Sequence, residues 1–131
     1  MSKPGQKWYA ASIIIYFEFY ARRRRPIPVW ENVLLLRART FSEARLKAAR
    51  MGRLEEGPAE EALILFGEPA RRVFGGIRKV LLCAPAVKGP RRVSPGIEDG
   101  GEATFSTFSL ENPRALKALI AGKPVSLRYE K

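Results

Sequence analysis

The residues of this sequence that could bind a partner are aromatic and arginine side chains in its first 40 positions. Aromatic rings stack on bases and guanidinium groups pair with phosphates, a combination that is typical of proteins that bind single-stranded nucleic acid. The same groups also suit an acidic protein surface. The candidate partner-binding residues are Trp8, Tyr16, Tyr20, Arg22, Arg23, Arg24, Arg25, Arg37 and Arg39.

Catalytic chemistry has little support in the composition. The chain has no histidine and a single cysteine, Cys83, which removes Ser-His-Asp triads, Cys-His pairs and the commonest zinc ligand. Asp99 is the only aspartate, and the pairs Glu55-Glu56 and Glu60-Glu61 lie in or near polar turns. The Gly122-Lys123-Pro124 segment follows a helix, so it is a helix stop and does not form a phosphate loop. We therefore predict a protein that is not an enzyme and that uses no cofactor and no metal.

The charge is strongly positive and unevenly distributed. The formal net charge is +11, and residues 1–53 contain 12 Lys and Arg residues against three Glu, a net +9. Such an uneven field attracts polyanions or an acidic partner, although high charge also serves solubility alone. The length of 131 residues fits one domain. No apolar run reaches the roughly 20 residues of a membrane span, no secretory signal is evident, and the lone cysteine has no disulfide partner. We expect a cytoplasmic protein with no membrane partner.

Two apolar segments flank the arginine run and predict a β-hairpin. In a strand over Lys7–Tyr20 the odd positions are all apolar and form a core face, while the even positions are mixed. A second strand over Val29–Arg39 repeats this alternation. Two prolines and four like charges place a loop at 21–28. We call the side of this hairpin that carries Trp8, Tyr16 and Tyr20 the mixed face. It could contact a second copy or another protein, bind nucleic acid, or pack inside the chain.

Capping signals place the two helices. Thr40 and Glu43 form a capping box for a helix that ends at Gly52, and Asn112-Pro113 opens a second helix that stops at Gly122. Short strands are expected at 61–67, 70–74, 77–84, 103–110 and 125–130, and a second mobile loop at 85–101. The predicted fold is a single α+β domain over 1–131. It has a mainly antiparallel sheet of about five to seven strands, the order β-β-α-β-β-β-β-α-β, and both helices on one face.

Three segments resemble a small bacterial family of uncharacterised proteins, known only as a domain of unknown function. They are the opening WYAASIIIYF, the strand and helix start ENVLLLRARTFSEARLKAARMG, and the closing FSLENPRALKALIAGKPVSLRYEK. The family is similar in its Trp-Tyr strand, its short C-terminal helix and its final V-x-L-R-Y strand. The resemblance implies a shared fold and transfers no catalytic residue.

The sequence therefore favours a non-catalytic interaction module that acts through protein contacts or as a homodimer. A nucleic-acid-binding accessory protein is the first alternative. An immunity or antitoxin-like protein that covers an acidic partner is the second.

Overall fold

The computed structural model describes residues 5–21, 25–57, 63–83 and 99–129. These residues form six strands and two helices. The strands are β1 (Lys7–Phe19), β2 (Ile27–Ala38), β3 (Leu63–Leu65), β4 (Glu68–Leu82), β5 (Gly101–Leu110) and β6 (Arg128–Tyr129), and the helices are α1 (Phe41–Glu55) and α2 (Pro113–Ile120). Together the strands make one sheet in the order β3-β4-β1-β2-β5-β6, in which all neighbours are antiparallel. The predicted α+β class and antiparallel sheet are confirmed.

The central strand β1 is buried on both faces, and this determines where the helices lie. Ile13, Ile14 and Ile15 are all inaccessible to solvent, yet successive residues of a strand point to opposite faces. Ile13 and Ile15 pack with Ala48 of α1, whereas Ile14 packs with Leu119 of α2. The helices therefore cover opposite faces of the sheet. The expectation that they share one face is corrected, because the even positions of β1 also contribute a core residue.

The helix α1 starts as predicted but runs past its predicted stop. The Thr40 hydroxyl accepts a hydrogen bond from the Glu43 amide at 3.1 Å, which caps the first turn. The helix continues through Gly52 to Glu55, and its buried positions are Ala44, Ala48 and Gly52. A Cβ atom on Gly52 would lie 2.3 Å from Cε1 of Phe74 on β4. Gly52 is thus a close-packing position inside the helix and does not end it.

The strand β4 unites two segments that the sequence separates. Its pairing with β1 shifts register between Ser12 and Ile13 and again between Ile14 and Ile15, so β4 carries irregularities at the Gly75-Gly76 step and near Arg78. A Cβ atom on Gly75 would lie 3.1 Å from both the Tyr16 ring and the Ile120 side chain of α2. The glycines therefore allow α2 and Tyr16 to approach the β4 backbone closely.

The two predicted loops are only partly described. Arg22, Arg23 and Arg24 lie outside the described residues, and Ile27 and Pro28 already belong to β2. Pro28 is tolerated there because the pairing of β2 with β1 ends at Val29, so Pro28 pairs with β5 alone. Of the loop predicted at 85–101, residues 85–98 lie outside the described part of the chain, and Gly101 opens β5. Neither described helix combines the length and the apolar character that crossing a membrane requires.

Candidate partner-binding groove

An open groove lies between α2 and the ends of β1 and β4, at the tip of the first hairpin. We call it the hairpin groove. Its volume is about 1210 Å³. The main aliphatic side chains of its lining are those of Ile27, Leu116 and Ile120. Five aromatic side chains also line it, namely Tyr16, Phe17, Phe19, Tyr20 and Phe74. The groove therefore combines aromatic and aliphatic side chains with charged ones.

Two tyrosines from the predicted binding set lie in the hairpin groove. Tyr16 is half-buried because its ring lies over Gly75 and packs with the α2 cluster. Burial, followed by the negative charge of Glu18, raises the pKa of the Tyr16 phenol above 10.0, so this group is neutral at pH 7. Tyr20, two residues beyond Glu18, is 52% exposed. Tyr16 forms part of the wall, and Tyr20 is the more exposed of the two tyrosines.

Arg25 also lines the hairpin groove, but its guanidinium group is engaged within the chain. It forms a two-pronged ion pair with Glu68, in which Nη2 donates to Oε1 at 3.0 Å and Nη1 donates to the second carboxylate oxygen. Its Cζ also lies 4.1 Å from the centre of the Phe19 ring. Only 17% of the side chain is exposed. Arg25 therefore connects the hairpin tip to the β3–β4 turn, a structural role that its position in the arginine run does not indicate.

A second guanidinium group at the groove, that of Arg71, is also paired, although this ion pair is more exposed. Nη2 of Arg71 on β4 donates to Oε1 of Glu18 at 2.7 Å, across the β1–β4 ladder in which these two residues are direct partners. Lys117 of α2 and Glu111 also line the groove. The described lining therefore carries three cations, Arg25, Arg71 and Lys117, against the two carboxylates of Glu18 and Glu111, and the Arg25 charge is also paired with Glu68.

Three other predicted residues, Trp8, Arg37 and Arg39, lie at the opposite end of the hairpin. Trp8 and Tyr16 are eight residues apart on one strand, or about 26 Å at the usual rise of a strand. The Arg37 guanidinium lies 4.6 Å from the centre of the Trp8 ring, and Arg39 is exposed beyond the end of β2. The predicted set is therefore divided: Tyr16, Tyr20 and Arg25 meet at the hairpin groove, and Trp8, Arg37 and Arg39 do not.

Asp99 organises this second end. Its carboxylate accepts a hydrogen bond from the Arg37 amide at 2.7 Å and another from Nζ of Lys47 at 2.6 Å. Lys47 also donates to the Arg37 carbonyl oxygen at 2.6 Å. Burial alone would raise the pKa of Asp99, but the hydrogen bonds and positive charges of Lys47 and Arg37 outweigh it, and the pKa falls below 3.8. Asp99 thus ties the start of β5 to β2 and α1.

This lowered pKa predicts a pH-dependent share of stability. A carboxyl group whose pKa is lower in the folded state stabilises fully above its unfolded pKa, and the share is lost as the pH falls through the folded pKa. We expect Asp99→Asn to reduce the free energy of unfolding by less than about 1 kcal/mol at pH 7, because the side chain is partly exposed and solvent screens its ion pair. Urea denaturation from pH 7 to pH 2 should show the two proteins converging in acid. Glu102→Gln, at an exposed carboxylate of β5, is the control, and a difference that persists at pH 2 would contradict this role.

Sequence reasoning missed the contribution of α2 and β4 to the hairpin groove. Leu116, Lys117 and Ile120 face it from α2, and Arg71 and Gly75 line it from β4. The only sequence signal for this arrangement was the Gly75-Gly76 pair, which marks a close approach to the backbone. The described residues contain no cluster of three or more Cys, Asp or Glu side chains that could hold a metal ion.

The structure is thus a small α+β fold with an open groove that is lined in part by aromatic side chains. No protein-family model matches the chain. No curated protein sequence and no solved structure matches it either.

Proposed function

We propose that this protein is a non-catalytic interaction module that binds a segment of another protein in the hairpin groove. The observation that supports this most strongly is the combination of an apolar, aromatic lining with guanidinium groups that are already paired. Tyr20 supplies an exposed ring at the rim, while Leu116 and Ile120 supply aliphatic surface from α2. Aromatic residues with nearby aliphatic surface are the usual anchors of protein–protein contacts.

Nucleic-acid binding is the alternative, and the charges of the groove favour it less. Binding of phosphates requires available cations, but Arg25 and Arg71 are engaged by Glu68 and Glu18. Moving the Arg71 guanidinium group to a phosphate would break its hydrogen bond to Glu18 and leave that carboxylate beside the incoming negative charge. The groove therefore suits a polypeptide with apolar side chains better than a phosphate backbone. An acidic toxin-like partner is one protein that such a module could cover.

Selection from a random peptide library displayed on phage, with the purified protein as bait, tests the proposal. We expect Tyr20→Ala to weaken binding of the selected peptides at least tenfold, or about 1.4 kcal/mol, because Tyr20 lines the groove and is 52% exposed. Leu46→Ala is the matched control, since Leu46 is exposed on α1, away from the groove. Circular dichroism of both variants should match that of the parent protein.

Two results would overturn the proposal. One is a selection that yields no peptide, or only peptides that bind the Tyr20→Ala variant as well as the parent. The other is tight binding of random single-stranded RNA or DNA that weakens steeply with salt and depends on Tyr20, which would assign the groove to nucleic acid.

Membership of the small bacterial family that the two ends of the chain resemble stays a prediction. It is compatible with an interaction role, since the resemblance rests on structural motifs and on no catalytic group.

A further inference from the structure

The side of α2 that lines the hairpin groove is apolar except at one position. Four residues of this helix line the groove, and their spacing places them on one side of it: Pro113, Leu116, Lys117 and Ile120. Leu116 is buried and Ile120 is half-buried, whereas Lys117 is exposed. Arg114, also on α2, does not line the groove. Lys117 is therefore a cation among apolar neighbours, on the part of α2 that a bound segment would cover.

Lys117 differs from the other two cations of the groove lining in its ion pairing. Arg25 and Arg71 each have a carboxylate partner within the chain. No residue in the described part of the chain forms an ion pair with Lys117. Glu111 also lines the groove, but it precedes the cap of α2 and does not pair with Lys117. The three hydrogen-bond donors of the Lys117 ammonium group are thus available to a partner.

A segment that packs against Leu116 and Ile120 must pass beside Lys117, which lies between them in sequence and shares their side of the helix. Such a segment displaces water from the ammonium group. A charged group that loses its water without gaining a partner weakens binding, and a carboxylate at hydrogen-bond distance offsets this loss. A purely apolar segment would have to leave this part of the groove uncovered.

A carboxylate suits this position better than a phosphate backbone does. Glu18 and Glu111 line the same groove, so successive phosphates would bring several negative charges beside two carboxylates. A single acidic side chain brings one charge and meets the one cation that no described carboxylate engages. The net charge of +11 acts in the same direction, because it attracts an acidic partner before contact.

We propose that the segment bound in the hairpin groove carries an Asp or Glu side chain that pairs with Lys117, beside apolar side chains that pack against Leu116 and Ile120. This inference rests on the proposed function and specifies the chemistry of the partner. The apolar contacts supply most of the affinity. Lys117 selects among apolar segments, because charged pairs at an interface contribute mainly to specificity.

Peptide selection with two further baits tests this inference. One phage-displayed library is selected on the parent protein, on Lys117→Glu and on Arg114→Glu. We expect the parent to enrich Asp or Glu at one position beside apolar residues, and Lys117→Glu to enrich Lys or Arg at that position. Arg114→Glu is the matched control, since Arg114 is an exposed cation of the same helix outside the groove lining. It should select the same acidic peptides as the parent.

Isothermal titration calorimetry with matched peptides measures the contact itself. Replacing the shared carboxylate of a selected peptide with the corresponding amide should weaken binding to the parent about five- to tenfold. Lys117→Met keeps an apolar stem without the charge, so it should bind the acid and the amide equally. Arg114→Met should prefer the acid as the parent does. Circular dichroism of both variants should match that of the parent.

The outcomes separate this inference from the proposed function. Selected peptides that depend on Tyr20 but show no acidic position, or that bind equally as acid and amide, leave the proposed function standing and overturn the pairing with Lys117. A preference for the acid that persists in Lys117→Met assigns the carboxylate to another cation and also overturns it. A selection that yields no peptide overturns both.

Discussion

Replacing Phe108 with alanine should lower the free energy of unfolding by about 3–5 kcal/mol, the usual loss for a large buried ring. The Phe108 side chain is 1% exposed and packs with Ile14, Val29 and Leu119 between the sheet and α2. It also meets the ring of Tyr129 edge to face at a centroid distance of 5.8 Å. Its removal leaves a cavity where β2, β5, β6 and α2 meet, and urea denaturation would measure the loss.

Phe105→Ala provides the matched control for this prediction. The residue type and the strand are the same, but the ring is mostly in solvent, so the free energy of unfolding should change by no more than about 0.5 kcal/mol in dilute protein. If Phe108→Ala lowered the free energy of unfolding as little as Phe105→Ala does, the α2 side of the sheet would not be a packed core. α2 could then not form one wall of the hairpin groove.

Gly52→Ala should destabilise the protein by about 1–3 kcal/mol, even though alanine is the better helix former. Alanine in a helix interior is favoured over glycine by about 1 kcal/mol, so a fold that tolerated the methyl group would become more stable. Here the added Cβ would lie 2.3 Å from Cε1 and 2.5 Å from Cδ1 of the Phe74 ring. The helix α1 or the ring must move, and both belong to the core between α1 and the sheet.

A double-mutant cycle with Phe74→Ala isolates this contact. Without the ring, Gly52→Ala should be neutral or stabilising, because only the gain in helix propensity remains. Comparison of Arg50→Gly with Arg50→Ala, at an exposed position of the same helix, measures the propensity contribution by itself. Persistence of the full loss in the Phe74→Ala background would place the cause elsewhere in α1.

Local signals predicted much of the fold. The caps at Thr40 and Asn112 each depend on a side chain and an amide three residues later, and both hydrogen bonds are present, at 3.1 and 2.9 Å. The odd positions of β1 were predicted as a core face from alternation alone, and Ala11, Ile13 and Ile15 are fully buried. These features depend on neighbours in sequence, so a single chain reveals them.

Long-range contacts were beyond such reasoning. The partner of Arg25 is 43 residues away and the partner of Arg71 is 53 residues away, so their ion pairs depend on which strands become neighbours. The sequence indicates a helix stop at Gly52, because it does not show that the Phe74 ring of β4 packs against this glycine. Part of the candidate site was therefore predicted, namely Tyr16, Tyr20 and Arg25, whereas the contribution of α2 depends on the strand order, which the sequence does not show.

The three consecutive isoleucines of β1 also affect how strongly the sequence specifies the register of the hairpin. A slip of one residue exchanges the two faces of a strand, and normally it is penalised because polar groups enter the core. At Ile13–Ile15 a slip replaces isoleucine with isoleucine, so this stretch discriminates weakly between alignments. The correct register must therefore be favoured by neighbouring residues. A slip of one residue would turn Glu18 inward, and the Gly75-Gly76 step accepts the Tyr16 ring in one register only. The register of β1 therefore depends in part on β4, a strand that lies more than 40 residues later in the sequence.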